Sequence, residues 1–223
     1  MLALDTSTRC GSVALVEDGR LVASARHDVP SEHAERLMGL VDQAFAEAGW
    51  AKASVDLIGC GLGPGSFTGV RVALATAKGM ALGLGVPLVG VGSLRAMAVA
   101  AAQPPEALVV ALIDARKDEV FWAAYDGGGG ECHPPAHVRR GEVARALAAL
   151  GRPCVVVGEV AGELGDLGAG VSVLTEGGAH ALPDAATIAR IAAELLALRG
   201  ADDLDALEPC YVRPPDIHPP RAP

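Results

Sequence analysis

The opening residues alternate short apolar blocks with polar breaks. Residues 1–5 are apolar down to Asp5, residues 6–10 are polar, residues 11–16 are apolar again, and Glu17-Asp18-Gly19 precedes a third block at 20–26. This predicts strand, tight turn, strand, hairpin turn, strand. From Pro30-Ser31 the period lengthens: Leu37, Leu40, Val41, Ala44, Phe45 and Ala48 recur at three-to-four spacing before Gly49, which predicts an amphipathic helix. A buried strand over 55–61 is expected to run into Gly61-Leu62-Gly63-Pro64-Gly65-Ser66-Phe67-Thr68-Gly69. A second helix over 70–84, a short strand over 87–91 and a third, Ala-rich helix capped by Ser93 follow.

After Gln103-Pro104-Pro105 the grammar restarts. An apolar strand over 108–113 ends in Asp114 as the first strand ends in Asp5, a polar turn leads to a strand over 120–125, and Asp126-Gly127-Gly128-Gly129-Gly130 repeats the hairpin signal. A short helix around 142–150, a strand over 154–158 and a helix over 185–199, between Asp184 as N-cap and Gly200, complete the second copy. We read this as a diverged duplication, giving a two-lobed α/β protein with mixed sheets. The expected units are residues 1–103, residues 104–213, and an extended, mobile, proline-rich tail at 214–223.

Composition narrows the function. Apolar residues make up 51% of the 223, but only seven are aromatic, so Ala, Val, Leu and Gly must do most of the packing. The 18 basic against 27 acidic residues leave a net charge of −9 and no Lys/Arg-rich run, which disfavours an autonomous nucleic-acid binder. No unbroken apolar stretch has the length of a membrane span, and Met1 leads into the first strand with no basic n-region, so neither a membrane anchor nor a signal peptide is expected. Five scattered cysteines without a C-x-x-C suit a reduced, cytoplasmic chain.

The candidate chemistry is incomplete. A strand, a Gly-rich loop and a helix N-terminus at 61–69 resemble an anion cradle built from Gly63, Gly65, Ser66 and Thr68. Yet Lys78 lies too far on for a Walker A loop, G-x-G-x-x-G is not completed, and Pro64 and Thr68 stand where a nucleophile elbow around Ser66 needs glycine. A tight turn before a closely packed helix explains the glycines equally well. Asp5, Thr6 and Ser7 at a strand end could face a metal-bound phosphate or bond their own turn. His133 and His137 have metal-like spacing, but Pro134 and Pro135 forbid a helix and leave a solvated loop as the expectation. On the first two helices, Leu37, Leu40, Val41 and Ala44 with Ala73, Thr76, Ala77, Gly79 and Met80 form a candidate pairing surface; packing on the chain's own sheet is the alternative. On the pairing reading, Ala77→Glu or Gly79→Leu blocks a partner helix and spares the fold.

Four segments, in order and spacing, carry a family resemblance: Leu2-Ala-Leu-Asp-Thr-Ser-Thr8, GLGPGSFTGVRVALATAK at 61–78, Ile113-Asp-Ala-Arg116 with Glu119-Val-Phe-Trp-Ala-Ala-Tyr125, and Glu208-Pro-Cys-Tyr-Val-Arg213. Together they resemble the TsaB (YeaZ) family of bacterial tRNA threonylcarbamoyladenosine biosynthesis subunits, over residues 1 to about 213. The resemblance implies a two-lobed fold of the actin, hexokinase and Hsp70 (ASKHA) superfamily and a non-catalytic role. It implies pairing through the first two helices, either with a second copy in a homodimer or with the catalytic homologue TsaD. It further implies help in recruiting the ATPase TsaE, tRNA contact only through the complex, no required cofactor or metal, and at most weak ATP or ADP binding. The rival within the same superfamily is an ATP-dependent phosphotransferase or acyl-transfer enzyme using Asp5, Thr6 and the 61–69 loop.

Overall fold

The computed structural model describes residues 1–28, 33–174 and 180–213. The expected helix start at Pro30-Ser31 and the proline-rich tail lie outside the described residues. In the first lobe β1 (Leu2–Asp5), β2 (Gly11–Glu17) and β3 (Arg20–His27) form an antiparallel meander. After α1 (His33–Ala48), β4 (Ile58–Gly61) adds parallel to β1, and after α2 (Phe67–Leu84), β5 (Leu88–Val91) adds parallel to β4. The sheet order is therefore β3-β2-β1-β4-β5. Following α3 (Ser93–Ala100), the second lobe repeats the plan with β6 (Leu108–Arg116), β7 (Glu119–Asp126), β8 (Glu131–Arg139), α4 (Val143–Ala148), β9 (Cys154–Val157) and β10 (Val171–Val173), in the order β10-β9-β6-β7-β8. With the same strand order and the same parallel and antiparallel pairs, the topology carries the duplication that residue identity barely records. This is the duplicated, two-lobed α/β architecture with mixed sheets that the sequence pattern predicts.

Helices cover both faces of each sheet. On the first sheet, Leu2, Leu4, Val13 and Leu15 pack under α1 and α2, while Ala3, Ala14 and Val16 pack under α5 (Ala185–Arg199). On the second, Leu108, Val110 and Leu112 face α4, and Val109, Ala111 and Ile113 face α3. So the lobes exchange their last helices: α3 follows the first sheet but packs on the second, and α5 does the reverse. The boundary at residue 103 parts the strands, and the helices cross it. The small residues serve this packing. A Cβ on Gly59 would lie 3.0 Å from Ala192 Cβ, so α5 sits close enough to the sheet that even an added methyl group would push it back.

Local chemistry sets the element ends. Ser66 caps α2 by accepting from the Gly69 N–H at 3.2 Å, and Gly85 ends it with φ 68°, so α2 begins a turn-fraction earlier than the periodicity predicted. Asp184 caps α5 by accepting from Thr187 N–H, as expected. Ser93 does not cap α3; its hydroxyl is committed elsewhere. The strand expected over 55–61 is confined to Ile58–Gly61, the helix expected around 142–150 to Val143–Ala148, and β10 was not foreseen at all. The loop expected at 133–137 is instead part of β8. An edge strand tolerates Pro134 and Pro135, because one side of its backbone has no ladder to complete. Among the described residues no helix is long and apolar enough to cross a membrane.

Candidate functional site: the interlobe cleft

The turn after β1 and the Gly-rich segment are one interlocked unit. Asp5 is fully buried; one carboxylate oxygen accepts from the Ser7 N–H at 2.8 Å and the Ser7 hydroxyl at 2.7 Å, and the other accepts from the Ser93 hydroxyl at 2.8 Å. Ser93 in turn accepts from the Gly63 N–H at 3.0 Å. The Thr6 hydroxyl donates to the Gly69 carbonyl at 2.7 Å, and the Ser66 N–H donates to the Ser7 carbonyl at 2.6 Å. The glycines are dictated by this contact. A Cβ at Gly61 would fall 1.8 Å from Asp5 Oδ2, at Gly65 2.0 Å from the Ser7 carbonyl oxygen, and at Gly69 1.9 Å from that of Thr6. Three of the loop's glycines thus exist to let the 5–7 turn lie against the start of α2.

Beside this unit a cleft of about 520 Å³ opens between the lobes. Ser7, Gly65, Ser66 and Thr68 line it, whereas Asp5, Thr6 and Gly63 do not. From the second lobe come Asp114, Arg116 and Glu159. The β6–β7 turn holds Arg116, Lys117 and Asp118 at φ 63°, 52° and 62°, three consecutive non-glycine residues in the left-handed region. Asp114 is occupied by Arg140, 3.2 Å away, and by the Arg116 N–H at 3.1 Å. Arg9 donates to Glu159 and to Asp28, both at 2.5 Å, and these hydrogen bonds raise its guanidinium pKa further above its ordinary value. At the rim the Arg71 guanidinium lies 3.6 Å over the Phe67 ring, and its Nε donates to Tyr211 Oη at 2.7 Å.

His133 and His137 do not converge: the His133 ring stacks on Trp122 with centroids 4.2 Å apart, and His137 Nδ1 lies 3.8 Å from Glu119. Among the described residues no three His, Cys, Asp or Glu side chains are grouped to hold a metal ion. Cys60 beneath the unit is wholly buried, which pushes its thiol pKa far up. Sequence reasoning missed Ser93, Glu159 and Tyr211 as parts of this site. Their partners lie 88, 150 and 140 residues away, and no local pattern records such a distance.

The residues expected to form a pairing surface divide. Leu37, Leu40, Val41, Ala44, Ala73 and Ala77 are buried in the first lobe's own core, where they hold α1 and α2 on the sheet, so they are not on offer to a partner. Thr76 and Met80 are half-buried, and Gly79 is open, with nothing within 4 Å of a Cβ built there. Met38 on α1 and Leu82 on α2 are further outward apolar positions.

Comparison with known proteins places these features. The family model "TsaD: tRNA N6-adenosine threonylcarbamoyltransferase" matches residues 27–161. The chain is 34% identical over 220 residues, 96% of its length and 94% of the relative's, to the tRNA threonylcarbamoyladenosine biosynthesis protein TsaB of Escherichia coli (strain K12). It is 41% identical to the protein of the same name from Haemophilus influenzae over 124 residues, 55% of this chain and 52% of that one. The solved structure of YeaZ from Pseudomonas aeruginosa superposes with a TM-score of 0.76 at 32% identity, covering 94% of this chain and 98% of that one.

Proposed function

This chain belongs to the TsaB (YeaZ) family, and we propose that it serves tRNA threonylcarbamoyladenosine biosynthesis as a non-catalytic, cytoplasmic subunit paired with a TsaD-type homologue. The observation that carries the non-catalytic part is the state of Asp5. A strand-end acid that handled a metal-bound phosphate would present at least one oxygen to the cleft. Here both oxygens are buried and taken by Ser7 and Ser93, so the acid holds the turn against α2. Pairing would use the outward sides of α1 and α2, around Met38, Thr76, Gly79, Met80 and Leu82, where small and apolar groups let a second helix pair approach. A net charge of −9 is in keeping with tRNA contact supplied by the partner, and a TsaE-type ATPase would join the paired assembly.

Reconstitution tests the reading. Threonylcarbamoyl transfer to tRNA by the TsaD-type and TsaE-type proteins is measured with and without this chain, and the reading expects transfer to require it. Equal transfer without the chain would overturn the assignment. So would ATP hydrolysis by the purified chain alone that Asp5→Asn abolishes.

A further inference from the structure

We infer that the two lobes are latched around the cleft by the chain's own side chains, in two arms that span it. The first arm is Arg9. It leaves the turn after β1 and is steadied within its own lobe by Asp28, just past β3. It crosses to Glu159, just past β9 of the second lobe. Glu159 is itself anchored by its N–H on the Ala181 carbonyl at 2.9 Å.

The second arm is a strap over residues 202–213, after α5. It starts on the first lobe: the Asp202 N–H donates to the Leu88 carbonyl, the Asp202 carboxylate accepts from the Gly90 N–H, and Leu204 and Leu207 pack against the core under α1 and α2. The Cys210 N–H then donates to the Leu62 carbonyl at 2.8 Å, and the Tyr211 hydroxyl accepts from Arg71. Val212 reaches the core of the second lobe, and Arg213 donates to Glu119, at the start of β7, at 2.6 Å.

Both arms sit where a hinge would be felt most. Arg9, Glu159, Tyr211, Val212 and Arg213 all line the cleft, while the exchanged helices α3 and α5, which pack on each other and join the lobes, contribute no lining residue. Opening the cleft by rotation about those helices must break Arg9–Glu159 and lift the strap from Glu119. In a two-lobed protein that closes on a ligand, the ligand bridges the lobes. Here two ion pairs and a strap bridge them, and because the paired groups are partly exposed the latch is weak, reversible and screened by salt. The inference does not depend on the functional reading above.

Amide hydrogen exchange on the full chain tests it. Arg9→Glu and Arg213→Glu should each speed exchange roughly threefold to tenfold at residues 7–9, 113–116 and 210–213, with β1 and residues 108–112 of β6 unchanged. The swap Arg213→Glu with Glu119→Arg should restore protection, whereas a glutamate at residue 9 would also repel Asp28, so the first arm is read from Arg9→Glu and Glu159→Gln singly. Wild-type exchange in the single variants, or no recovery in the Arg213–Glu119 swap, would overturn the latch. The unmodified protein gives a second measurement that needs no variant to fold: moving from low to molar salt should speed exchange in the same three segments, and indifference to salt there would also overturn it.

Discussion

Replacing Asp5 by alanine separates a structural acid from a chemical one. The substitution removes an acceptor from three donors at once: the Ser7 N–H, the Ser7 hydroxyl and the Ser93 hydroxyl, all buried. A buried donor left unpaired costs about 1–3 kcal/mol. The Ser7 N–H is fixed by the backbone and bears the full cost, while the two hydroxyls can rotate and recover part of theirs. Relief from burying a carboxylate offsets some of the loss. We therefore expect Asp5→Ala to lower the unfolding free energy by about 2–4 kcal/mol, a large share of the ~5–15 kcal/mol typical of a folded chain. Asp5→Asn, which keeps an acceptor toward Ser7 but turns an amide N–H₂ toward Ser93, should lose about half as much. Urea unfolding followed by far-UV circular dichroism at neutral pH measures both. An Asp5→Ala protein within ~0.5 kcal/mol of wild type would refute the reasoning. It would leave Asp5 free for chemistry.

Five further outcomes are expected. Ala77→Glu should unfold the first lobe, since it buries a carboxylate among Ala73, Leu74 and Ala81 with no partner; Gly79→Leu should fold at least as stably as wild type and lose the TsaD-type partner on gel filtration. Gly69→Ala should destabilise the protein by roughly 2 kcal/mol or more, because its methyl group must displace the Thr6 carbonyl; a thermal midpoint equal to wild type would contradict this. Hydrogen bonds from Arg199, reinforced by the Gly90 N–H, hold the Asp202 carboxyl below its ordinary value against the opposing effect of burial. Its folded pKa is depressed, so its stabilisation is complete above the ordinary carboxylate range and is lost as pH falls through the folded value; the stability gap between wild type and Asp202→Asn should stay level above about pH 5 and close below it. In native protein, Ellman's reagent should modify exposed Cys132 first and reach Cys60 only on unfolding, as burial keeps that thiol protonated.

How far the sequence reached is plainest at particular residues. Elements whose signals are local were readable: the period of Leu37, Leu40, Val41 and Ala44, the Asp184 cap and the Glu17-Asp18-Gly19 turn act within one or two turns of chain, and α5, the β2–β3 hairpin and the described body and end of α1 stand where they were predicted. Edge strand β8 was not readable, because its prolines are acceptable only where one side of the backbone lacks a neighbour, and that depends on the finished sheet.

The two motifs of the site, Asp5-Thr6-Ser7 and Gly61 to Gly69, were visible as motifs, but their meaning was open between an anion cradle and a tight packing turn. Burial shows one side of it: both Asp5 oxygens are taken, and a Cβ at Gly61, Gly65 or Gly69 would fall within 2.0 Å of an oxygen of Asp5, Ser7 or Thr6, so the motifs make a packing contact with each other, while Ser7, Gly65, Ser66 and Thr68 also line the cleft. The stripes on α1 and α2 were likewise legible as apolar but not as inward or outward, since period alone does not say which neighbour fills the groove. Short-range pattern was enough for β1 to β3, β6 and β7, for the bodies of α1, α2 and α5 with the Asp184 cap, and for the family. Which lobe each last helix covers, which small residues face inward and which charges meet across the cleft were set by the tertiary fold. Those depend on contacts between positions some 90 to 150 residues apart, and such contacts leave no period in the chain.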